Sequence, residues 1–171
     1  MGADAAKAGV LLFFAVVLQL SIMANVEILG GHPNLLLVAL VCVALLRGAV
    51  FGAVAGFGAG FLADTGVFGT LGFTALLLTL AGYWTGRYGE TTGRDRAHAP
   101  WLSIAVITFL YQVAALVLRF MLGQNAPAGS IFEGVVPTIA LNLLLTLPVY
   151  AFTRRLLRPQ EWAPREVRLL G

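Results

Sequence analysis

Residues 34–64 read NLLLVALVCVALLRGAVFGAVAGFGAGFLAD, and the way this run divides decides the fold. A membrane-crossing helix needs about 20 apolar residues, and this stretch is too long for one ordinary crossing. Arg47 is the single charge before Asp64, and Gly48 follows it at once. The spacing predicts two short helices, 34–46 and 48–63, with Arg47 at the turn between them. One long tilted helix is the alternative, and it lowers the count of crossings from six to five. Gly48, Gly52, Gly56 and Gly60 recur at four-residue spacing, and Asp64 continues the series. Such a stripe forms a groove that lets another helix backbone approach closely. Four residues advance 400°, so the stripe drifts about 40° per step and spirals, as a crossing partner requires. That partner is either another helix of the same chain or a helix of another protein, and both uses are open at this point.

Composition sets the environment of this run. Of 171 residues, 59% are hydrophobic and 11% charged, and the mean hydropathy is +0.89. A soluble domain carries about 25% charged residues, so the chain is expected in a bilayer as one helical domain. Cytosolic enzymes, signalling domains and nucleic-acid binders are excluded on this ground. The pI near 9.5 does not argue for nucleic acid, because the basic residues lie between apolar blocks and form no single patch. Cys42 is the lone cysteine and is expected to be a small apolar filler.

The sequence predicts an all-α integral membrane protein, a six-helix transmembrane bundle. Its spans are residues 8–28, 34–46, 48–63, 69–86, 101–122 and 134–152, within a helical domain 1–153. Gly30, Gly31 and Pro33 break the chain after the first span, and Tyr83, Trp84, Arg87 and Tyr88 mark an interface after the fourth. The longest polar loop, residues 89–100, follows. Six crossings put Lys7, Arg47, Arg87, Arg94, Arg96, Arg154, Arg155, Arg158, Arg165 and Arg168 on one side, which is ten of the eleven basic residues. By the positive-inside rule that side is cytoplasmic, so both termini are expected there. Glu27, Asp64 and Glu133 fall on the other side. The tail, residues 154–171, mixes Arg154, Arg155, Arg158 and Trp162 with leucines and is expected to lie on anionic lipid.

Several polar residues stand apart from this pattern. Asp64 either caps a helix near the headgroups or binds a proton or cation. Arg119, near the outer end of the fifth span, either pairs with Glu133 or Glu27 or snorkels to the headgroups. Gln19, Gln112 and Asn142 are predicted at mid-depth, where amides need partners. They serve either as interhelical hydrogen bonds or as the lining of a small-molecule pocket. Pro137 and Pro148 bracket Asn142 and are expected to bend the sixth helix. The chain has no phosphate-binding loop and no nucleophile elbow, and His32 and His98 are predicted on opposite faces. No catalytic residue, metal site or cofactor is expected, and the chain is read as not an enzyme.

The order of these features resembles the bacterial rod-shape-determining MreD family. The likeness rests on residues 33–38, on Arg47-Gly48 leading through the glycine ladder to Asp64, on residues 69–73 and 81–86, and on residues 142–145 through Pro148 to Arg154, Arg155 and Leu156. Where the family often has Pro-Leu-Gly, this chain has Gly69-Thr70-Leu71-Gly72. The resemblance implies a role in lateral growth of the wall of rod-shaped bacteria. It implies MreC as a direct partner and MreB, RodA and its penicillin-binding transpeptidase as indirect ones. It also implies a fold similar to the substrate-binding subunits of energy-coupling-factor vitamin transporters. Two functions are therefore carried forward: a scaffold whose Gly48–Gly60 groove docks MreC, and a solute-binding transporter subunit with a polar extracytoplasmic cavity.

Overall fold

The computed structural model describes residues 2–22, 26–28, 30–66, 70–92, 99–123 and 128–157. Six helices follow in order: α1 (Gly2–Ser21), α2 (Leu35–Arg47), α3 (Ala49–Gly66), α4 (Phe73–Thr92), α5 (Ala99–Met121) and α6 (Ala128–Leu156). Four of them, α1, α3, α5 and α6, are long and apolar enough to cross a membrane.

The run quoted above is two helices. Gly48 interrupts it with φ +94°, a left-handed conformation that side chains other than glycine rarely adopt. Its amide still donates to Ala44 O at 2.8 Å, closing α2, and its carbonyl accepts from Gly52 N at 2.9 Å, opening α3. A single tilted helix over this region is therefore excluded.

The shorter of the two pieces is the centre of the molecule. Every residue of α2 from Leu36 to Leu46 is buried, and α2 packs against all five other helices. Its sequence explains this: leucine, valine and alanine occupy its whole circumference, and a helix apolar all round belongs inside. At 13 residues it is only about 20 Å long, shorter than the roughly 30 Å hydrocarbon layer. The polar loop before it lies within the bundle, where Thr138, well inside α6, bonds it.

α3 and α4 form the tightest pair, and glycine makes it possible. A Cβ on Gly52 would collide with the Gly82 carbonyl, one on Gly56 with Leu78 O, and one on Gly86 with Gly48. One on Gly60 would come within 2.5 Å of Ala75 Cα. Residue numbers rise on one helix as they fall on the other, so the pair is antiparallel. With no water to squeeze out between helices in lipid, such backbone proximity supplies the van der Waals contact that holds them.

Three elements, α1, α4 and α6, depart most from their expected bounds. α1 begins at Gly2 and stops at Ser21, where residue 28 was expected. Ile28 and Gly31 instead exchange two hydrogen bonds of 3.0 and 2.9 Å across a turn at Gly30. α4 runs on to Thr92, beyond the expected residue 86. α6 continues from Ala128 through both Pro137 and Pro148 to Leu156. Ala8, Val43, Leu46 and Leu157 cluster, so the start of α1, the end of α2 and the end of α6 share one end of the bundle.

Candidate functional site

The opposite end is built around the start of α2. A helix leaves its first amides without intrahelical partners, and inside a bundle water cannot supply them. Asn34 caps α2, its Oδ1 accepting from Leu37 N at 2.9 Å. Gln19 of α1 accepts from Leu35 N at 2.8 Å through Oε1 and donates from Nε2 to Pro33 O at 3.2 Å. Asn142 of α6, fully buried, accepts from Asn34 N at 2.8 Å and donates to Thr108 Oγ1 of α5 at 3.1 Å. Thr138 accepts from His32 N at 3.1 Å. The loop between α1 and α2 is thus held by side chains from α1 and α6, and Thr108 of α5 braces Asn142 from behind. Gly31 allows that approach, since a Cβ there would lie 2.7 Å from Pro137 Cβ and Thr138 N.

Of the three expected amides, Gln19 and Asn142 meet at this loop, joined through residues 33–35. Their partners are chiefly loop backbone and Thr108 instead of one another. Gln112 makes no hydrogen bond among the described residues. It faces a cavity of about 650 Å³, whose wall also includes Glu27, Asn34, Tyr111, Arg119 and Asn142. Leu37, Phe73, Ala115 and Leu116 supply its apolar side. The Arg119 guanidinium lies over the Phe73 ring, 6.0 Å from its centroid. Arg119 and Glu27 share the cavity but do not form an ion pair with each other. The side chain of Glu133, the other expected partner, lies outside the described residues.

Asp64 caps a helix, but not its own. Its Oδ2 accepts from Gly72 N at 2.9 Å and Ala75 N at 3.0 Å, and its Oδ1 accepts from Thr74 N at 3.0 Å. Thr74 and Ala75 lie in the first turn of α4 and Gly72 just before it, so the carboxylate closes the α3–α4 hairpin. With every one of these bonds coming from backbone N–H groups, the arrangement is that of a structural cap.

Of the two uses open to the glycine ladder, contact within the chain is the one seen. Gly52, Gly56 and Gly60 are covered by α4, and Gly48 by Gly86. A helix of another protein has no access to that face unless α4 leaves it. The pattern missed in the sequence is the answering one on α4, where Leu78, Gly82 and Gly86 also recur every four residues. The glycines that remain open are others: a Cβ on Gly9 or Gly58 would meet nothing within 4 Å. Both line a shallow apolar groove of about 460 Å³ between α1 and α3, walled by Ala5, Phe13, Phe51, Val54 and Leu62.

At the basic end, Arg47 Nη2 lies 2.7 Å from Asp4 Oδ2, and the Arg47 side chain is only 9% exposed. Glu90 accepts from Ala49 N at 2.8 Å, closing the start of α3. Arg154 and Arg155 are exposed on the last turn of α6. Arg158 and Trp162, like His98, Arg94 and Arg96, lie outside the described residues. Among the described residues, no three His, Cys, Asp or Glu side chains gather as a metal site.

An all-helical bundle with a buried central helix, apolar from Leu35 to Leu46, and four long apolar neighbours is a membrane protein. Among known families, rod shape-determining protein MreD matches residues 8–159 of this chain, and the chain belongs to that family. Comparison with curated proteins gives no match, and none is found among solved structures. The family's part in determining rod shape is thereby the function class of this chain.

Proposed function

We propose that the protein is a non-enzymatic scaffold of the bacterial cell-elongation machinery, which docks MreC and so helps direct lateral peptidoglycan synthesis. Through MreC it would act indirectly on MreB, RodA and the penicillin-binding transpeptidase. Family membership is the observation that carries this reading. Six crossings of the inner membrane accompany it, with Lys7, Arg47, Arg87, Arg154 and Arg155 at one end of the bundle and both termini cytoplasmic under the positive-inside rule. The exposed Arg154 and Arg155, with the tail beyond them, would rest on anionic lipid.

The docking surface proposed is the α1/α3 groove. MreC has a single membrane span, and such a span needs a lipid-facing surface where small residues let its backbone approach. Gly9 and Gly58 meet that need, because neither is covered by another helix. Val54, 69% exposed, and Phe13, 52% exposed, offer apolar side chains beside them. Pull-down of MreC from membranes tests this with Gly9→Leu and Gly58→Leu. Both variants should fold and insert normally yet recover less MreC and give rounded cells. Unchanged MreC recovery in both would remove the groove from the proposal.

A solute-binding transporter subunit is the second reading. The polar cavity beside Gln112 and Arg119 favours it. The same pull-down separates the two, since a transporter subunit has no use for MreC and would instead co-purify with ATP-binding subunits.

A further inference from the structure

The cavity at the start of α2 serves no purpose in docking another helix at the α1/α3 groove, and its chemistry is specific. Its volume, about 650 Å³, lies within the roughly 300–1,000 Å³ of small-molecule sites. Its ionisable wall groups are Glu27, His32, Tyr111 and Arg119. Two of these, Arg119 and Glu27, carry opposite full charges and yet do not close on each other. A purely anionic guest would answer Arg119 and bring a second negative charge toward Glu27. A purely cationic guest would do the reverse. The Gln112 amide lines the same cavity, with no hydrogen-bond partner among the described residues, while Asn142 and Thr108 are held in place by each other. Phe73 and Leu116 give the apolar side on which methylene groups can rest.

We propose that this cavity binds a zwitterionic group, its phosphate or carboxylate set against Arg119 and Gln112 and its ammonium against Glu27. Two sources share this chemistry: the headgroup of an aminophospholipid, and a soluble zwitterion such as an amino acid or phosphoethanolamine. The site is independent of the docking proposal, and either can fail without the other.

The full-length protein, purified in mild detergent, is mixed with equal dioleoyl phosphatidylethanolamine and dioleoyl phosphatidylglycerol and weighed intact by native mass spectrometry. The wild type should retain the zwitterionic lipid in preference to the anionic one. Arg119→Gln removes a charge-assisted bond and should lower that retention about tenfold. Glu27→Gln should weaken retention of the zwitterionic lipid and strengthen that of the anionic one, opposite changes that general loss of structure cannot produce. Glu27 is exposed and lies outside every helix, so this variant decides the matter even where Arg119→Gln fails to fold. Free phosphoethanolamine added in excess distinguishes the sources: displacement of the lipid assigns a site open to soluble zwitterions, and retention of it assigns the lipid headgroup. Equal retention of both lipids by the wild type, or an unchanged preference in Glu27→Gln, would overturn the proposal.

Discussion

The Asp64 carboxylate, near the end of α3, accepts a 3.0 Å hydrogen bond from the amide of Ala75, in the first turn of α4. Gly72 and Thr74 donate to the same group, so one side chain satisfies three backbone donors that lipid could not. The positive end of the α4 dipole adds to this, since a carboxylate beside unpaired amides is stabilised twice over. Asp64 also continues the four-residue register of the glycines and is 6% exposed. The face that brings α3 against α4 therefore ends in the group that fixes where α4 begins.

Removing that group should be expensive. Asp64→Ala leaves three amides without acceptors and is expected to lower stability by about 2 to 3 kcal/mol, above an ordinary cap because the bonds are charge-assisted. Asp64→Asn keeps one acceptor oxygen and should cost less. Unfolding by sodium dodecyl sulfate in mixed micelles measures both. Wild-type stability in Asp64→Ala would mean the cap contributes nothing.

The two sets of glycines on α3 should respond oppositely to bulk. Gly56→Leu drives a side chain into the Leu78 carbonyl and should destabilise by about 3 kcal/mol, the upper part of the range for overpacking. Gly58→Leu points into open space and should be neutral, or gain slightly from leucine's better helix propensity. The same unfolding measurement compares them. Equal losses would show that α4 does not lie where it is described.

Arg47 and Asp4 give a third contrast. The Arg47 side chain is nearly buried beside the end of α2, and Asp4 is its described ion partner. Asp4→Asn and Arg47→Gln should each destabilise, and the double variant should lose less than the two losses added, because the second substitution removes a charge that has already lost its partner. Strict additivity in the unfolding cycle would mean the two groups do not interact.

Much of this architecture is legible in the residues. Arg47-Gly48 marks the division of the long apolar run, and the four-residue glycine spacing marks a close helix contact. Periodicity alone does not choose the partner, because a groove looks the same from within whether its own chain or another fills it. The answering register at Leu78, Gly82 and Gly86 is present in the sequence, but antiparallel alignment of two stripes is a tertiary fact. The central place of α2 follows from its unbroken apolar circumference, whereas its depth depends on how far the neighbouring helices overshoot it. Gln19 and Asn142, expected as inward amides, both bond residues 33–35. That they meet at the loop around Asn34 was not legible, because their depths follow from where α1 ends, and α1 stops at Ser21, earlier than its apolar composition suggests.

Asn142 gives the last test, because it joins the α2 loop to α5 from α6. Asn142→Leu removes the acceptor for Asn34 N and the donor to Thr108. Interhelical hydrogen bonds in membranes average about 0.6 kcal/mol, yet here a buried loop amide is also left unpaired, so a loss of about 2 kcal/mol is expected. Thr108→Val removes only the second bond and should cost about 0.6 kcal/mol. The order of the two losses is the informative quantity. If Thr108→Val is the more damaging, Asn142 acts mainly through α5, and the loop is held by Gln19 and Thr138. If Asn142→Leu dominates, amide exchange at Asn34 should also accelerate in that variant and stay slow in Thr108→Val, since only the former frees its N–H.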